Sequence, residues 1–243
     1  AVDCVVKPSA ANQTSFSELA EKVKNAGHAN VSRRQQLEPR PARSPSAAPL
    51  LGNQSSKIIA NGSSTGGVEA LMAVLSRFPP NCAPTVITQH MPSLFTASLA
   101  QRLDKYCAAT VSEARHGVEL KHGHVYLAPG GSSHLEVVGQ RELRCSLKAG
   151  PPVNGHCPSV DVLFESVAKA AGKRAVGVIL TGMGNDGAHG LKLMRNQGAR
   201  TIGQDCASSV VYGMPKSAFE MGAVERQFSL GRIGDEVTAL MNE

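Results

Sequence analysis

Residues 57–69 read KIIANGSSTGGVE, which is the pattern of a buried strand, a sharp turn and the start of a helix. The apolar run 58–60 predicts the strand, and the glycines that follow it interrupt the extended chain. Within the turn, Gly62-x-Ser64-x-Gly66 matches the nucleophile-elbow pattern, in which flanking glycines allow a tight turn that exposes the serine hydroxyl. The N-terminus of the following helix supplies N–H groups and a positive dipole end, which suit an oxyanion beside Ser64.

The composition is that of an ordinary globular protein. With 243 residues and 42% hydrophobic content, the chain is long enough for one sizeable domain and an appendage. No stretch approaches the roughly 18 apolar residues of a membrane span, and the N-terminus lacks the features of a signal peptide. We therefore expect a cytoplasmic protein without membrane insertion. The six cysteines are scattered with no Cys-x-x-Cys, so neither a disulfide framework nor a zinc knuckle is indicated.

The net charge of +6 raises the question of nucleic-acid binding. Residues 29–57 carry +4 of this charge, from five basic residues against one acidic residue, so the basicity is concentrated in one segment. The aromatic content is 4%, tryptophan is absent and no helix presents a basic face. These observations predict that nucleic acid is not a partner.

Three regions differ in texture. Residues 1–28 contain a strand-like run, a Lys7-Pro8 turn and a helix pattern over 15–26, which are too few elements to bury a core. Residues 29–56 are rich in Pro, Ser and Arg without periodicity, and we interpret them as a linker. Residues 57–243 are then the main domain.

Strand and helix patterns alternate through most of residues 57–243. This alternation predicts an α/β fold with a mostly parallel, doubly wound sheet and helices on both faces. The runs 124–128, 135–138 and 143–147 are short and alternating, and they predict an antiparallel ribbon added to the sheet. Loops at the carboxyl ends of parallel strands converge, so a site is expected there.

Three polar residues occupy such loops: Ser64, His90 and Asp186. A serine hydroxyl is a weak nucleophile until a base accepts its proton, a role suited to His90. Asp186 would hold the imidazole tautomer and stabilise its charged form. The order Ser, His, Asp differs from the Ser, Asp, His order of the common hydrolase fold, but triads of one geometry occur in several orders. The pattern predicts acyl transfer.

A dinucleotide site is the main alternative. Gly182-x-Gly184-x-x-Gly187 follows the strong apolar run 175–181, opens a helix and is followed by Asp205 at the end of the next strand. Against an oxidoreductase, Asp186 would bring a carboxylate close to the pyrophosphate. A phosphate loop at 62–67 is weaker, because the Lys and the Ser or Thr that it requires are missing.

Other readings of single residues remain open. His122-x-His124 has two imidazoles but no third metal ligand at a clear spacing. Asp161 and His189 could complete a Ser, Asp, His order with Ser64, although His189 would then lie inside a helix. A binding module without catalysis is favoured only if Ser64 is dispensable.

Several blocks in order resemble the catalytic domain of the chemotaxis protein-glutamate methylesterases, the CheB family. The similar blocks are GSSTGG at 62–67, ITQHMP at 87–92, YLAPG at 126–130, PVN at 152–154, PSVDVLF at 158–164, GVILTGMGNDGA at 177–188 and VVYGMPK at 210–216. Residues 1–28, with Lys7-Pro8, resemble the last strand and helix of a response-regulator receiver domain. The linker then separates the two domains of a chemotaxis response regulator.

The resemblance implies a serine hydrolase that demethylates glutamate methyl esters on chemoreceptors and deamidates receptor glutamines. It implies Ser64 as the nucleophile, His90 as the base and Asp186 as the orienting carboxylate, with oxyanion stabilisation near Thr65 and the Met183 amide. No metal and no organic cofactor is implied. The expected partners are methyl-accepting chemoreceptors and, through a receiver whose core is missing here, the histidine kinase of the pathway.

The sequence departs from the family pattern at a few positions. Ser63 stands where a small alanine is usual, Asn61 where an apolar residue is commoner, and Cys206 where an acidic residue is common. None of these changes removes a member of the expected triad. The missing receiver core puts phosphorylation control of this chain in doubt.

Overall fold

The computed structural model describes residues 57–243 and, ahead of them, Leu19, Val23, Lys24 and Gly27, whose backbone is helical. The strand and turn expected in residues 1–8 and the linker expected at 29–56 lie outside the described residues. In the part of the chain that is described, no helix combines the length and the hydropathy that crossing a membrane requires.

Strands and helices alternate from residue 58 onward. The strands are β1 (Ile58–Ser63), β2 (Thr85–Gln89), β3 (Thr110–Glu113), β4 (His124–Leu127), β5 (Ser133–Val138), β6 (Arg144–Ala149), β7 (Ala175–Ile179), β8 (Arg200–Gln204) and β9 (Arg226–Phe228). The helices are α1 (Gly67–Leu75), α2 (Ser93–Tyr106), α3 (Val160–Ala171), α4 (Ala188–Asn196), α5 (Met214–Glu220) and α6 (Leu230–Asn242). A short 3-10 turn, Gly172–Arg174, joins α3 to β7.

Seven of these strands form one sheet in the order β3-β4-β2-β1-β7-β8-β9, and every neighbouring pair is parallel. Helices α1, α2 and α6 bury their apolar faces on one side of the sheet. Helices α3, α4 and α5 pack on the other side, together with the β5–β6 ribbon. The predicted doubly wound α/β fold is therefore confirmed.

One strand differs from the sequence expectation. The run 124–128 was expected in the antiparallel ribbon, but β4 lies in the main sheet and pairs in parallel with β2 and β3. Val125, Tyr126 and Leu127 are all buried, which is typical of a strand covered on both faces. Among the strands of residues 57–243, β5 and β6 are the pair that is antiparallel, and they form a separate two-stranded sheet.

The sheet order places the expected site residues side by side. Strands β2, β1 and β7 are neighbours in the sheet, and the residues in question follow the carboxyl ends of these three strands. Helix α3 begins directly over β1, because a Cβ atom at Gly62 would lie 2.2 Å from Cγ1 of Val160. The start of α3 thus lies against the strand that leads to Ser64.

Candidate active site

The turn after β1 is a sharp strand-to-helix turn, as the glycine pattern predicts. Gly66 has φ of +80° and precedes α1, a conformation that glycine adopts without strain. The amide of Gly67 donates to the carbonyl of Ser64 at 2.7 Å, and the amide of Ser64 donates to the carbonyl of Thr181 at 3.0 Å. These bonds hold Ser64 at the edge of the sheet, where it is only partly buried.

The two adjacent serines have different environments. Ser63 is completely buried, and its hydroxyl donates to Oε1 of Gln89 at 2.6 Å. The Nε2 group of Gln89 in turn donates to the carbonyls of Ser64 and His90, both at 2.9 Å. The amide of His90 also donates to the carbonyl of Ser63 at 3.0 Å. Gln89 therefore joins the elbow to the loop that carries His90, while the Ser63 hydroxyl is occupied.

The structure brings His90 and Asp186 into direct contact. Nε2 of His90 lies 2.8 Å from Oδ2 of Asp186, and the side chains are 7% and 1% exposed. The other ring nitrogen, Nδ1, is buried and has no hydrogen-bond partner among the residues described. A neutral His90 that donates from Nε2 keeps its lone pair on Nδ1, so Nδ1 is the atom that can accept a proton.

Asp186 is held by more than His90. Its Oδ1 accepts hydrogen bonds from the Asn154 side chain at 2.9 Å and from the Ser159 hydroxyl at 2.8 Å. The first backbone amides of α3 also donate to Asp186. Val160 donates to Oδ2 at 2.7 Å, and Asp161 donates to Oδ1 at 3.2 Å. The carboxylate thus lies at the N-terminus of α3, where free N–H groups and the helix dipole favour a negative charge.

These contacts determine the charge of Asp186. Burial raises the pKa of this carboxyl, but the hydrogen bond and charge of His90, with the bonds from Asn154 and Val160, outweigh burial and bring the pKa well below its usual range. Asp161 shows the opposite balance. Burial raises the pKa of Asp161, and its bonds from Gly190 and Asn154 offset this only in part. Asp186 is therefore the carboxylate that remains ionised beside the imidazole.

Residues 151–159 form a wall of the site. The Nδ2 group of Asn154 bridges the two carboxylates, at 2.7 Å from Oδ2 of Asp161 and 2.9 Å from Oδ1 of Asp186. The ring of His156 stacks on the ring of His90, with centroids 3.7 Å apart and planes at 16°. This segment covers one face of His90 and supports Asp186.

The residues expected to stabilise an oxyanion lie beside Ser64. Thr65 follows Ser64 directly, and its carbonyl accepts a hydrogen bond from the Thr181 hydroxyl at 3.0 Å. Met183 belongs to the loop after β7, which touches the elbow: a Cβ atom at Gly182 would lie 2.8 Å from Cβ of Ser64. Thr65 is thus adjacent to the serine, and Met183 follows the residue of this loop that contacts it. The role of both in oxyanion stabilisation stays a prediction.

The structure does not support the dinucleotide alternative. The amide of Gly182 donates to the carbonyl of Val211, and the Gly182 carbonyl accepts from the amides of Gly213 and Met214, so both backbone groups of the first glycine are occupied within the chain. Asp205 accepts from the amide and hydroxyl of Ser208 in a local turn. Asp186 contacts His90 and α3, and is not left facing a ligand phosphate.

The structure also does not support a triad with Asp161 and His189 or a metal site at His122 and His124. The side chain of His189 is 66% exposed and lies 3.9 Å from Glu165, while Asp161 accepts from Asn154 and Gly190. Nδ1 of His124 bonds to the backbone carbonyl of His122. Between residues 57 and 243 and at the four described positions before them, no cluster of His, Cys, Asp and Glu could hold a metal ion.

Sequence reasoning missed four residues of the site: Gln89, Asn154, His156 and Ser159. Gln89 precedes His90, and Asn154 and Ser159 lie in blocks that carry the family resemblance, so the signal was present without a role attached. Ser159 is the N-cap of α3, and its side chain accepts from the amide of Val162. Its hydroxyl also donates to Asp186, a contact that no local pattern indicates.

The known proteins that this chain resembles share one description. A family model described as CheB methylesterase matches residues 59–237. The chain is 57% identical over 245 residues to the protein-glutamate methylesterase/protein-glutamine glutaminase 1 of Caulobacter vibrioides, covering 99% of this chain and 70% of the relative. A relative of the same activity from Agrobacterium fabrum is 53% identical, with coverages of 99% and 69%.

A solved structure is also similar. The crystal structure of the Thermotoga maritima CheB methylesterase catalytic domain superposes with a TM-score of 0.74 at 38% sequence identity. The match covers 76% of this chain and 98% of that domain, so the described part of the chain has the fold of that whole domain.

Proposed function

The chain belongs to the CheB methylesterase family, and on this premise we propose that Ser64, His90 and Asp186 form its catalytic triad. The protein is a protein-glutamate methylesterase and protein-glutamine glutaminase of bacterial chemotaxis, and its substrates are chemoreceptors. It hydrolyses glutamate methyl esters with release of methanol and converts glutamine side chains to glutamate with release of ammonia.

The first half of the proposed reaction is acylation. The Ser64 hydroxyl attacks the carbonyl carbon of the glutamyl ester while Nδ1 of His90 accepts its proton. The resulting oxyanion is stabilised by the backbone near Thr65 and by the Met183 amide, and Asp186 stabilises the imidazolium through Nε2. The tetrahedral intermediate collapses, His90 returns the proton to the methoxy group, and methanol leaves an acyl-enzyme.

The second half repeats these roles with water. His90 takes a proton from a water molecule, which attacks the acyl carbon, and the Ser64 oxygen leaves with that proton. The products are a glutamate side chain and free enzyme. A glutamine substrate follows the same path with ammonia as the leaving group, so one arrangement serves both activities.

One observation carries the triad proposal: the 2.8 Å contact of His90 with Asp186 at the edge of the sheet where the elbow presents Ser64. The low pKa of Asp186 supports its role as the ionised partner. The orphaned Nδ1 of His90 supports that atom as the base.

The experiment compares three substitutions by methanol release from methylated receptor. Ser64→Ala and His90→Ala should each lower kcat by about 10³-fold or more, because both remove a group that takes part in the reaction. Ser63→Ala is the matched control, since it removes the neighbouring hydroxyl that is bonded to Gln89. It should retain activity within about tenfold. Near-normal turnover by Ser64→Ala would overturn the triad.

The domain arrangement, location and second partner are proposals as well. We assign residues 1–28 to the end of a receiver domain, 29–56 to a linker and 57–243 to the catalytic domain, supported by the family match at 59–237.

A cytoplasmic location is supported by the substrate, which lies on receptor cytoplasmic domains, and cell fractionation tests it. The pathway's histidine kinase is the expected phosphate donor, to be tested by phosphotransfer to a chain that carries a complete receiver.

A further inference from the structure

His134 connects the antiparallel ribbon to the wall of the active site. It lies in β5, is 5% exposed and uses both ring nitrogens. Its Nε2 lies 3.0 Å from the carbonyl oxygen of Pro151, and its Nδ1 lies 3.1 Å from the amide nitrogen of Ser159. One imidazole therefore bonds to both ends of the segment 151–159.

The two partners determine the protonation of this ring. A carbonyl oxygen only accepts, so Nε2 of His134 must carry the hydrogen that it donates to Pro151. A backbone N–H only donates, so Nδ1 must hold a lone pair for Ser159. Both bonds exist together only in the neutral imidazole with its proton on Nε2.

The segment between these two bonds carries three groups of the site. Asn154 bridges Asp161 and Asp186, His156 stacks on His90, and the Ser159 hydroxyl donates to Asp186. A shift of residues 151–159 would thus move the carboxylate and uncover the imidazole. Misplacement by about 1 Å can lower a rate about 10²-fold.

The β5–β6 ribbon, which carries His134, is packed into the core and bonded to α3. Strands β5 and β6 pair over six residues each, and Leu135 and Val137 of β5 are buried in the core beneath α3. The amide of Val137 also donates to the Ser166 hydroxyl on α3 at 2.9 Å. His134 therefore lies on a strand, β5, that is bonded to α3, the helix whose first amides donate to Asp186.

We propose that His134 is a positioning residue for the methylesterase reaction, which fixes both ends of the segment 151–159 and so holds Asp186 and His90 in their relative orientation. This rests on the proposed triad. It also gives the antiparallel ribbon a role in catalysis, although no hydrogen bond described here joins the ribbon directly to a triad member.

The first test compares three variants by steady-state methanol release. His134→Phe keeps a planar ring but removes both hydrogen bonds, and it should lower kcat about tenfold or more with KM changed less than about threefold. His134→Asn keeps an acceptor near the Nδ1 position for the Ser159 amide, so it should recover part of this loss. The matched control is His116→Phe, because exposed His116 accepts from the amide of Leu147 on the same ribbon, whereas the bonds to Pro151 and Ser159 are made by His134. This control should act like the native protein.

Two results would overturn the proposal. One is a folded His134→Phe protein whose kcat is within twofold of the native value. The other is an equal fall in kcat for His134→Phe and His134→Asn, which would make the bond to Ser159 irrelevant.

A second test needs no substitution and no activity. Nitrogen-15 NMR of the native protein should show His134 with a protonated Nε2 and an unprotonated Nδ1 at neutral pH, and the opposite tautomer or a doubly protonated ring would overturn the proposal. This result is independent of the triad. If Ser64→Ala were active while the tautomer was as expected, the triad would fall and the link between His134 and the segment would stand.

Discussion

At the scale of single residues, the site is decided by which polar side chains have partners. Ser63 and Ser64 are chemically identical, yet the hydroxyl of Ser63 is bonded to Gln89 inside the protein and Ser64 lies at the surface edge. A serine whose hydroxyl already donates to a buried acceptor must break that bond before it can react. Burial therefore separates the candidate nucleophile from its neighbour.

Asn61 shows the cost of a polar side chain without partners. It is completely buried in β1, and neither its Oδ1 nor its Nδ2 finds a hydrogen bond among the described residues. An unsatisfied buried polar group costs about 1–3 kcal/mol. We expect Asn61→Val to raise the free energy of unfolding by about 1 kcal/mol in urea titrations, with kcat changed less than about threefold.

A second variant, at Thr88, tests the same cost of a buried polar group without a partner. Thr88 in β2 is also completely buried, and its hydroxyl likewise lacks a partner in the described part of the chain. Thr88→Val removes one oxygen at nearly constant shape, so it should stabilise as well. A loss of stability in both variants would show that these groups are satisfied in solution.

At the scale of elements, the start of α3 is shared between helix and site. Ser159 caps the helix, and Asp186 from the loop after β7 accepts from two of its first amides. The helix N-terminus stabilises the carboxylate charge, and the carboxylate satisfies amides that have no partner within the helix. Helix α3 and the Asp186 carboxylate therefore stabilise each other.

This mutual stabilisation predicts that the free energy of unfolding decreases at acid pH. Folding lowers the pKa of Asp186, so the unfolded chain binds more protons between that pKa and the ordinary value near 3.9. The stabilisation is present above about pH 4 and is lost as the pH falls through the folded pKa. Asp186→Asn should unfold about 3 kcal/mol more easily at pH 7, measured by urea titration, and this gap should narrow toward pH 3. Its kcat should fall by about 10³-fold or more.

Asp161 and a control variant help to assign this pH dependence to Asp186. Burial raises the pKa of Asp161, so its contribution has the opposite sign and falls as the pH rises above about 4. Asp104→Asn removes a carboxylate that accepts from the amide of Val111 outside the site, so it is the control for loss of a carboxylate away from α3. A gap between Asp186→Asn and the native protein that stayed constant from pH 7 to 3 would contradict the linkage.

At the scale of the whole molecule, three neighbouring strands assemble a site from residues far apart in sequence. Between residues 57 and 243, the two hydrophobic clusters that cover the faces of the sheet run from Ile58 to Met241. Because this core includes every element that carries a site residue, we expect residues 57–243 to be the unit that folds and catalyses.

Limited proteolysis tests this unit. The Pro, Ser and Arg composition of residues 29–56 predicts an accessible linker with several sites for trypsin. Brief digestion should cut there, with Arg43 the last trypsin site in residues 29–56, and leave a resistant fragment that begins at residue 44 and has methylesterase activity within about threefold of the undigested chain. Early cleavage inside residues 57–243, or loss of activity with the linker cut, would argue against the assignment.

The sequence by itself determined the α/β class, the order of elements and the three strand-end residues, because strand and helix periodicities are local and parallel strands present their carboxyl ends at one edge. Only the tertiary structure decided that β4 joins the parallel sheet, that Nε2 of His90 contacts Asp186, and that Asn154, His156 and His134 support the pair. The contacts of the imidazoles of His90 and His134 with Asp186 and Pro151 join residues 96 and 17 positions apart. They depend on how elements pack in space, which no local pattern encodes.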